Sequence, residues 1–184
     1  MALLTGGNIV NVERVVITTE EQEPRTFTFQ TSSQATFTPA VSQGQEKEQR
    51  IKNTLMGLIK TEDLSKGYDI ELTDQRLLMD VFALIDGGTV TGTGEEWTRY
   101  TAPVTGSAVS RVAFTLDLYT SDRGTDGAAL AYYKWSFPHC KGSPVTAGAT
   151  DDDFYSLQYT INSRPATGTA PMTIEKVQAL PVVA

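Results

Sequence analysis

The chain has one cysteine, one histidine and no apolar run approaching the roughly 20 residues that a membrane-crossing helix needs. With Cys140 alone, neither an intrachain disulfide nor a cysteine-rich zinc site can form, so the fold must stand on packing. The opening MALLTGGNIV has no basic region, and its apolar run is too short for a signal peptide; it predicts a soluble chain made in a cytoplasm. Basic residues are in deficit, 15 Lys and Arg against 22 Asp and Glu, for a formal charge of -7 and a pI near 4.7. Affinity for nucleic acid comes mainly from Lys and Arg neutralising phosphates, so a partner gripped through its phosphates is not expected. No period of self-similarity is present, which argues against a solenoid or propeller. What remains, 184 residues with 40% hydrophobic side chains, fits one domain with a real core.

The residues that are present read mostly as strands. Residues 9–18, IVNVERVVIT, are β-branched and partly alternating, which predicts a strand. From 19 to 49 Thr, Ser, Gln and Glu dominate, with Phe27, Phe29, Phe37 and Val41 as the apolar points. Residues 26–30 and 34–38 then suit the two arms of a protruding hairpin turning at 31–33, and the segment reads as an arm that orders against a partner. Residues 49–60, QRIKNTLMGLIK, fit helix or strand; Gly57 favours a strand, paired antiparallel with residues 67–73.

Residues 66–90, KGYDIELTDQRLLMDVFALIDGGTV, hold the one convincing helix. Tyr68, Ile70 and Leu72 alternate with Asp69, Glu71 and Thr73 as a half-buried strand. A helix over about residues 74–86 follows, capped by Asp74 or Thr73, carrying Leu77, Leu78, Val81, Phe82, Leu84 and Ile85 at helical spacing, and stopped by Gly87 and Gly88. Residues 87–94 form a turn-bearing link, and 97–104 another strand ending near Pro103. The clearest alternation comes next: Val112, Phe114, Leu116 and Leu118 share one face, and Ala131, Tyr133, Trp135 and Phe137 share another. SDRGTDG between them makes these the arms of a long hairpin. Residues 142–144 turn the chain, 154–163 give a last strand, and the PAT and TAP prolines loosen the tail.

Few constellations carry chemistry. His139 and Cys140 suggest a base and a nucleophile, but neighbours in a strand point to opposite faces, so a strand-end histidine and a buried thiol are the plainer reading. Asp151, Asp152 and Asp153 lack the spaced ligands of a calcium loop and read as a solvated turn. Glu95 and Glu96 beside Trp97 resemble a glycosidase or sugar-binding edge, yet nothing in the sequence sets their separation. The GTG at 92–94 has no following GK[ST] and is not a phosphate loop. Tyr132, Tyr133, Trp135 and Phe137 have the stacking surfaces of a single-strand binder without its basic stripe, so core packing is expected. No catalytic, cofactor-binding or metal-ligating residue is assigned.

The ordered set KGYDIELTD, helix, LIDGG, YTAPV, the RVAFTLDLYT to YYKWSF hairpin and a closing INSRP is similar to the tail tube proteins of tailed bacteriophages, over roughly residues 49–165. The resemblance implies a mainly β fold, an antiparallel β-sandwich or barrel flanked by one helix, without enzymatic activity or cofactor. It implies a virion tail protein, made in a bacterial cytoplasm, that forms hexameric rings stacked into a hollow tube. Its partners would be further copies of itself and the tape-measure, terminator and initiator proteins, with DNA passing through the lumen unbound and no membrane involved. On that reading the domain is 1–184, with an N-terminal arm 1–8, an extended loop 19–48 ordered between rings, and a C-terminal tail 165–184. Thr and Asp faces of the hairpins would line an acidic lumen. Two alternatives stay open: a head, neck, terminator or decoration protein, and a β-sandwich module that holds carbohydrate through Trp97 or Trp135. An enzyme using His139 and Cys140 ranks behind both.

Overall fold

Two-residue alternation carries most of this chain into strands. The computed structural model describes residues 8–30, 32–92, 94–149, 151 and 155–182. The strands are β1 (Ile9–Thr19), β2 (Thr26–Phe29), β3 (Ser32–Ser42), β4 (Glu46–Ile51), β5 (Thr54–Lys60) and β6 (Leu64–Asp74), then helix α1 (Met79–Asp86). After it come β7 (Thr89–Thr91), β8 (Arg99–Thr101), β9 (Phe114–Arg123), β10 (Ala129–Gly142), β11 (Thr146–Gly148), β12 (Ser156–Ser163) and β13 (Thr173–Val177). One antiparallel sheet runs in the order β2-β1-β9-β10-β12-β6-β3, with β11 on β12 and β13 on β10. The pairs β4–β5 and β7–β8 stand as separate two-stranded sheets. The end strands β2 and β3 do not pair, so among the described residues no barrel closes and the fold is sandwich-like.

The alternating faces supply the core. Val15 and Ile17 of β1, Leu116 and Leu118 of β9, Ile70 and Leu72 of β6, and Leu157, Tyr159 and Ile161 of β12 are all buried. The sheet folds over so that the Phe37 ring of β3 lies 4.9 Å from Phe137 and 5.9 Å from Trp135 of β10. The predicted long hairpin is present as β9–β10, with Leu118 opposite Trp135 and Leu116 opposite Phe137.

The helix is shorter than its periodicity predicts. Asp74 ends β6, paired with Ser32 of β3 and Leu157 of β12, and its carboxylate accepts the Arg76 N–H at 3.1 Å. Two ladder partners and this local turn hold residue 74 extended, so the helix starts at Met79 behind Leu78, which offers no side-chain cap. The exit agrees with expectation: Gly87 is left-handed (φ 87°) and its N–H reaches the Ala83 carbonyl at 2.8 Å.

Three other expectations change. Residues 26–30 and 34–38 are strands but not partners, because β2 pairs with β1 (Val15 with Phe29) and β3 pairs with β6 (Phe37 with Ile70). A free hairpin would leave those rings in water; splitting it between the two ends of the sheet buries Phe29 and packs Phe27 and Phe37 on the core. Half of the segment 19–48 is therefore end strand, β2 and β3, and not loop. Residues 49–60 are not one strand against 67–73; they turn at Lys52 (φ 53°) so that β4 pairs with β5. The tail contains β13, which pairs Tyr132 with Val177 and Trp135 with Ile174. The arm at 1–7, Thr31 of the expected turn, Thr93 of the GTG, Asp152, Asp153 and Phe154 lie outside the described residues.

A polar cluster closes the end of β9. The Ser121 hydroxyl donates to Glu13 at 2.7 Å and Arg123 donates to the same oxygen at 3.1 Å. The Ser121 bond lowers the Glu13 pKa; burial opposes it, and Arg123 adds to the lowering. A carboxylate with a depressed folded-state pKa adds stability above its unfolded value and loses it as pH falls through the folded one. Glu13→Gln is therefore expected to lower stability at neutral pH and to flatten the acid limb of the unfolding curve, measured by urea titrations at stepped pH.

Candidate functional site

The β4–β5 hairpin is the part of the chain that its own fold leaves unfinished. Its base is clasped: the Gly44 N–H donates to Asp63 at 2.7 Å, Gln45 N–H to the Thr61 hydroxyl at 2.7 Å, and Thr61 N–H to the Gln45 carbonyl at 2.9 Å. Beyond the clasp no described residue buries it. Leu58 and Ile59 are consecutive in an extended strand and so face opposite sides, yet they are 52% and 66% exposed. Ile51, Leu55 and Met56 are exposed beside them. Covering one such side chain is worth about 1.5–3 kcal/mol, and a lone two-stranded hairpin is only marginally stable in water. Among the described residues the hairpin thus leaves an apolar surface uncovered.

A second feature lies at the opposite end of the domain. The four residues of β2 bond to β1 on one side only, and beside the other edge runs a groove floored by Phe27, Phe29, Leu77, Leu78 and Trp97. Its rim carries Asp80, whose carboxylate accepts the Gly94 N–H at 3.2 Å, and Glu95, which pairs with Arg76 at 3.7 Å. Edge strands with one side unpaired are templates for strand addition.

The residues with possible chemistry are placed apart. The exposed His139 is left-handed (φ 48°), and both its backbone N–H (3.0 Å) and ring Nδ1 (2.8 Å) meet the Glu20 carboxylate. Cys140 is buried, its thiol donating to the Phe137 carbonyl at 3.3 Å, and burial pushes its pKa up to about 12. A thiol so held has little thiolate character, and the base–nucleophile pair has no geometry. Trp135 is used internally, its Nε1 donating to the Thr120 hydroxyl at 3.0 Å, and Phe137 packs edge-on to Tyr68 at 5.6 Å. Glu95 and Glu96 sit in a short 3-10 turn, and Trp97, 37% exposed, belongs to the β2 groove. Among the described residues no group of His, Cys, Asp and Glu is arranged to hold a metal ion, and no helix is long and apolar enough to cross a membrane.

Sequence reading missed the hairpin because 49–60 looks like a single strand. The Lys52–Asn53 pair between two apolar-flanked runs was the turn signal available.

No protein-family model matches the sequence, and neither does any curated protein. Solved structures similar in chain path include a chain of the sheath–tube complex of PVC, an extracellular contractile injection system, in its extended state. It is 13% identical with a TM-score of 0.46, over 91% of this chain and 92% of that one. A chain of the anti-feeding prophage baseplate is 10% identical (TM-score 0.41, covering 95% and 97%). One from the anti-feeding prophage tube-terminating cap is 14% identical (TM-score 0.40, covering 96% and 95%). Likeness at this level carries no conclusion about what this chain binds or builds.

Proposed function

We propose that this chain is a structural subunit of a phage-type tail or injection machine, assembling with copies of itself as rings stacked into a hollow tube. The observation that carries the reading is the β4–β5 hairpin, which projects with apolar side chains uncovered on both faces. A surface of that kind marks a contact with another chain. The ordered sequence resemblance to tail tube proteins supports the same reading. So do the open edges at β2 and β3, which a closed assembly would protect. The net charge of -7 suits a conduit through which DNA moves without sticking. The subunit acts by covering its neighbours' exposed surfaces, and no bond-breaking step is required of it.

Purified protein is expected to polymerise above a threshold concentration into hollow rods of even diameter, seen by negative-stain electron microscopy and followed by sedimentation. Single rings that never stack would move the protein to a terminator or neck role. A monomer at high concentration, with and without tail initiator or tape-measure partners, would overturn the assembly reading.

A further inference from the structure

We propose that the groove beside β2 is the socket for the β4–β5 hairpin of a second copy, an inference that rests on the assembly reading above. The two features lie at opposite ends of one strand. The hairpin leads into β6 at Leu64, and the groove begins at Arg76, two residues beyond the end of β6 at Asp74. Eleven extended residues separate them by about 33 Å at ~3.3 Å per residue. A hairpin arm of seven residues or fewer cannot fold back across that distance, so a chain's own hairpin cannot fill its own groove. The contact is therefore between copies, and where it runs head-to-tail it propagates into rings or open stacks.

Chemistry matches on the two surfaces. The groove floor is apolar, and the hairpin presents Met56, Leu58 and Ile59 without partners. The outer edge of β2 has extended backbone against which a hairpin strand can add. Charge is complementary as well. On the hairpin Arg50 is neutralised by Glu48 at 2.5 Å and Lys60 lies opposite Glu46, which leaves Lys47 and Lys52 unbalanced. On the rim Arg76 is engaged by Glu95, which leaves Asp80 as the negative excess. A basic apolar hairpin meets an acidic apolar groove, an arrangement that sets orientation and suppresses wrong pairings.

Mixing tests this directly. One preparation carries Met56→Cys, the other Leu77→Cys; both sites are exposed, and native Cys140 is buried. Under mild oxidation a cross-linked dimer is expected only in the mixture, read on a non-reducing gel. Adding Lys47→Glu and Lys52→Glu to the first preparation is expected to slow cross-linking about tenfold at low salt. Adding Asp80→Lys and Glu95→Lys to the second is expected to restore it, a rescue that misfolded protein cannot give. Cross-linking that ignores both charge reversals, or its absence while the unmodified protein still forms tubes, overturns the socket and leaves the tube reading standing. Charge-dependent cross-linking without any tubes supports the socket and counts against the tube.

Discussion

Excision of residues 46–60, with Gln45 joined to Thr61 through a short glycine link, should give a folded monomer that no longer assembles. The cut ends already touch, since the Thr61 N–H donates to the Gln45 carbonyl at 2.9 Å and Gln45 N–H to the Thr61 hydroxyl at 2.7 Å. No residue of β4 or β5 is buried, so the core loses nothing and the expected change in stability is about 1 kcal/mol or less. Assembly loses every exposed apolar side chain of the hairpin at once. The contrasting variant removes residues 20–45, which lie within the stretch that reads from sequence as a polar arm ordering against a partner. That deletion takes out β2 and β3, with buried Phe29 and the packed Phe37, and is expected to unfold the domain. Circular dichroism with a thermal melt, run beside sedimentation, separates the two outcomes. A hairpin-less protein that still forms rods would sink the assigned role.

Gly142→Ala should be among the most destabilising single-methyl additions in the chain. A Cβ at this last residue of β10 would lie 2.2 Å from the Ile85 carbonyl oxygen and 2.6 Å from the Ile85 Cα, backbone atoms that cannot rotate away. Nor can the helix withdraw. Val81, Leu84 and Ile85 plug the core, and Arg111 Nε donates to the carbonyls of Ile85 and Asp86, each at 3.1 Å. The Asp86 carboxylate accepts from the Val145 N–H at 3.0 Å and from the Tyr100 hydroxyl. Overpacking of this kind is expected to cost about 3 kcal/mol, read as a lower urea midpoint. Gly148→Ala, where a Cβ meets nothing within 4 Å, is the matched control and should be near neutral. An unchanged midpoint for Gly142→Ala would contradict the seating of α1 on β10.

The contrast between these variants shows where sequence reading succeeds. The β9–β10 hairpin was legible because its alternation is strict and its turn residues are dense, so local propensity and burial agree. The exit of α1 was legible because Gly87 takes a left-handed conformation that few other residues tolerate. The helix start was not, since residues 74–78 satisfy helical spacing while the ladders to β3 and β12 hold Asp74 extended. The phenylalanines of 26–38 were visible, but whether two short strands pair with each other or with distant ones is decided by which arrangement buries the rings.

By itself the amino-acid sequence determined a mainly β domain with one helix, no intrachain disulfide and an excess of acidic residues. Those properties follow from composition and from local periodicity, which act over a few residues. Only the tertiary structure decided that the polar stretch supplies both end strands of the sheet, that residues 46–60 form a hairpin with exposed apolar side chains on both faces, and that an apolar groove lies at the far end of β6. Strand pairing and exposure depend on contacts between residues far apart in the chain, and no window along the sequence contains them.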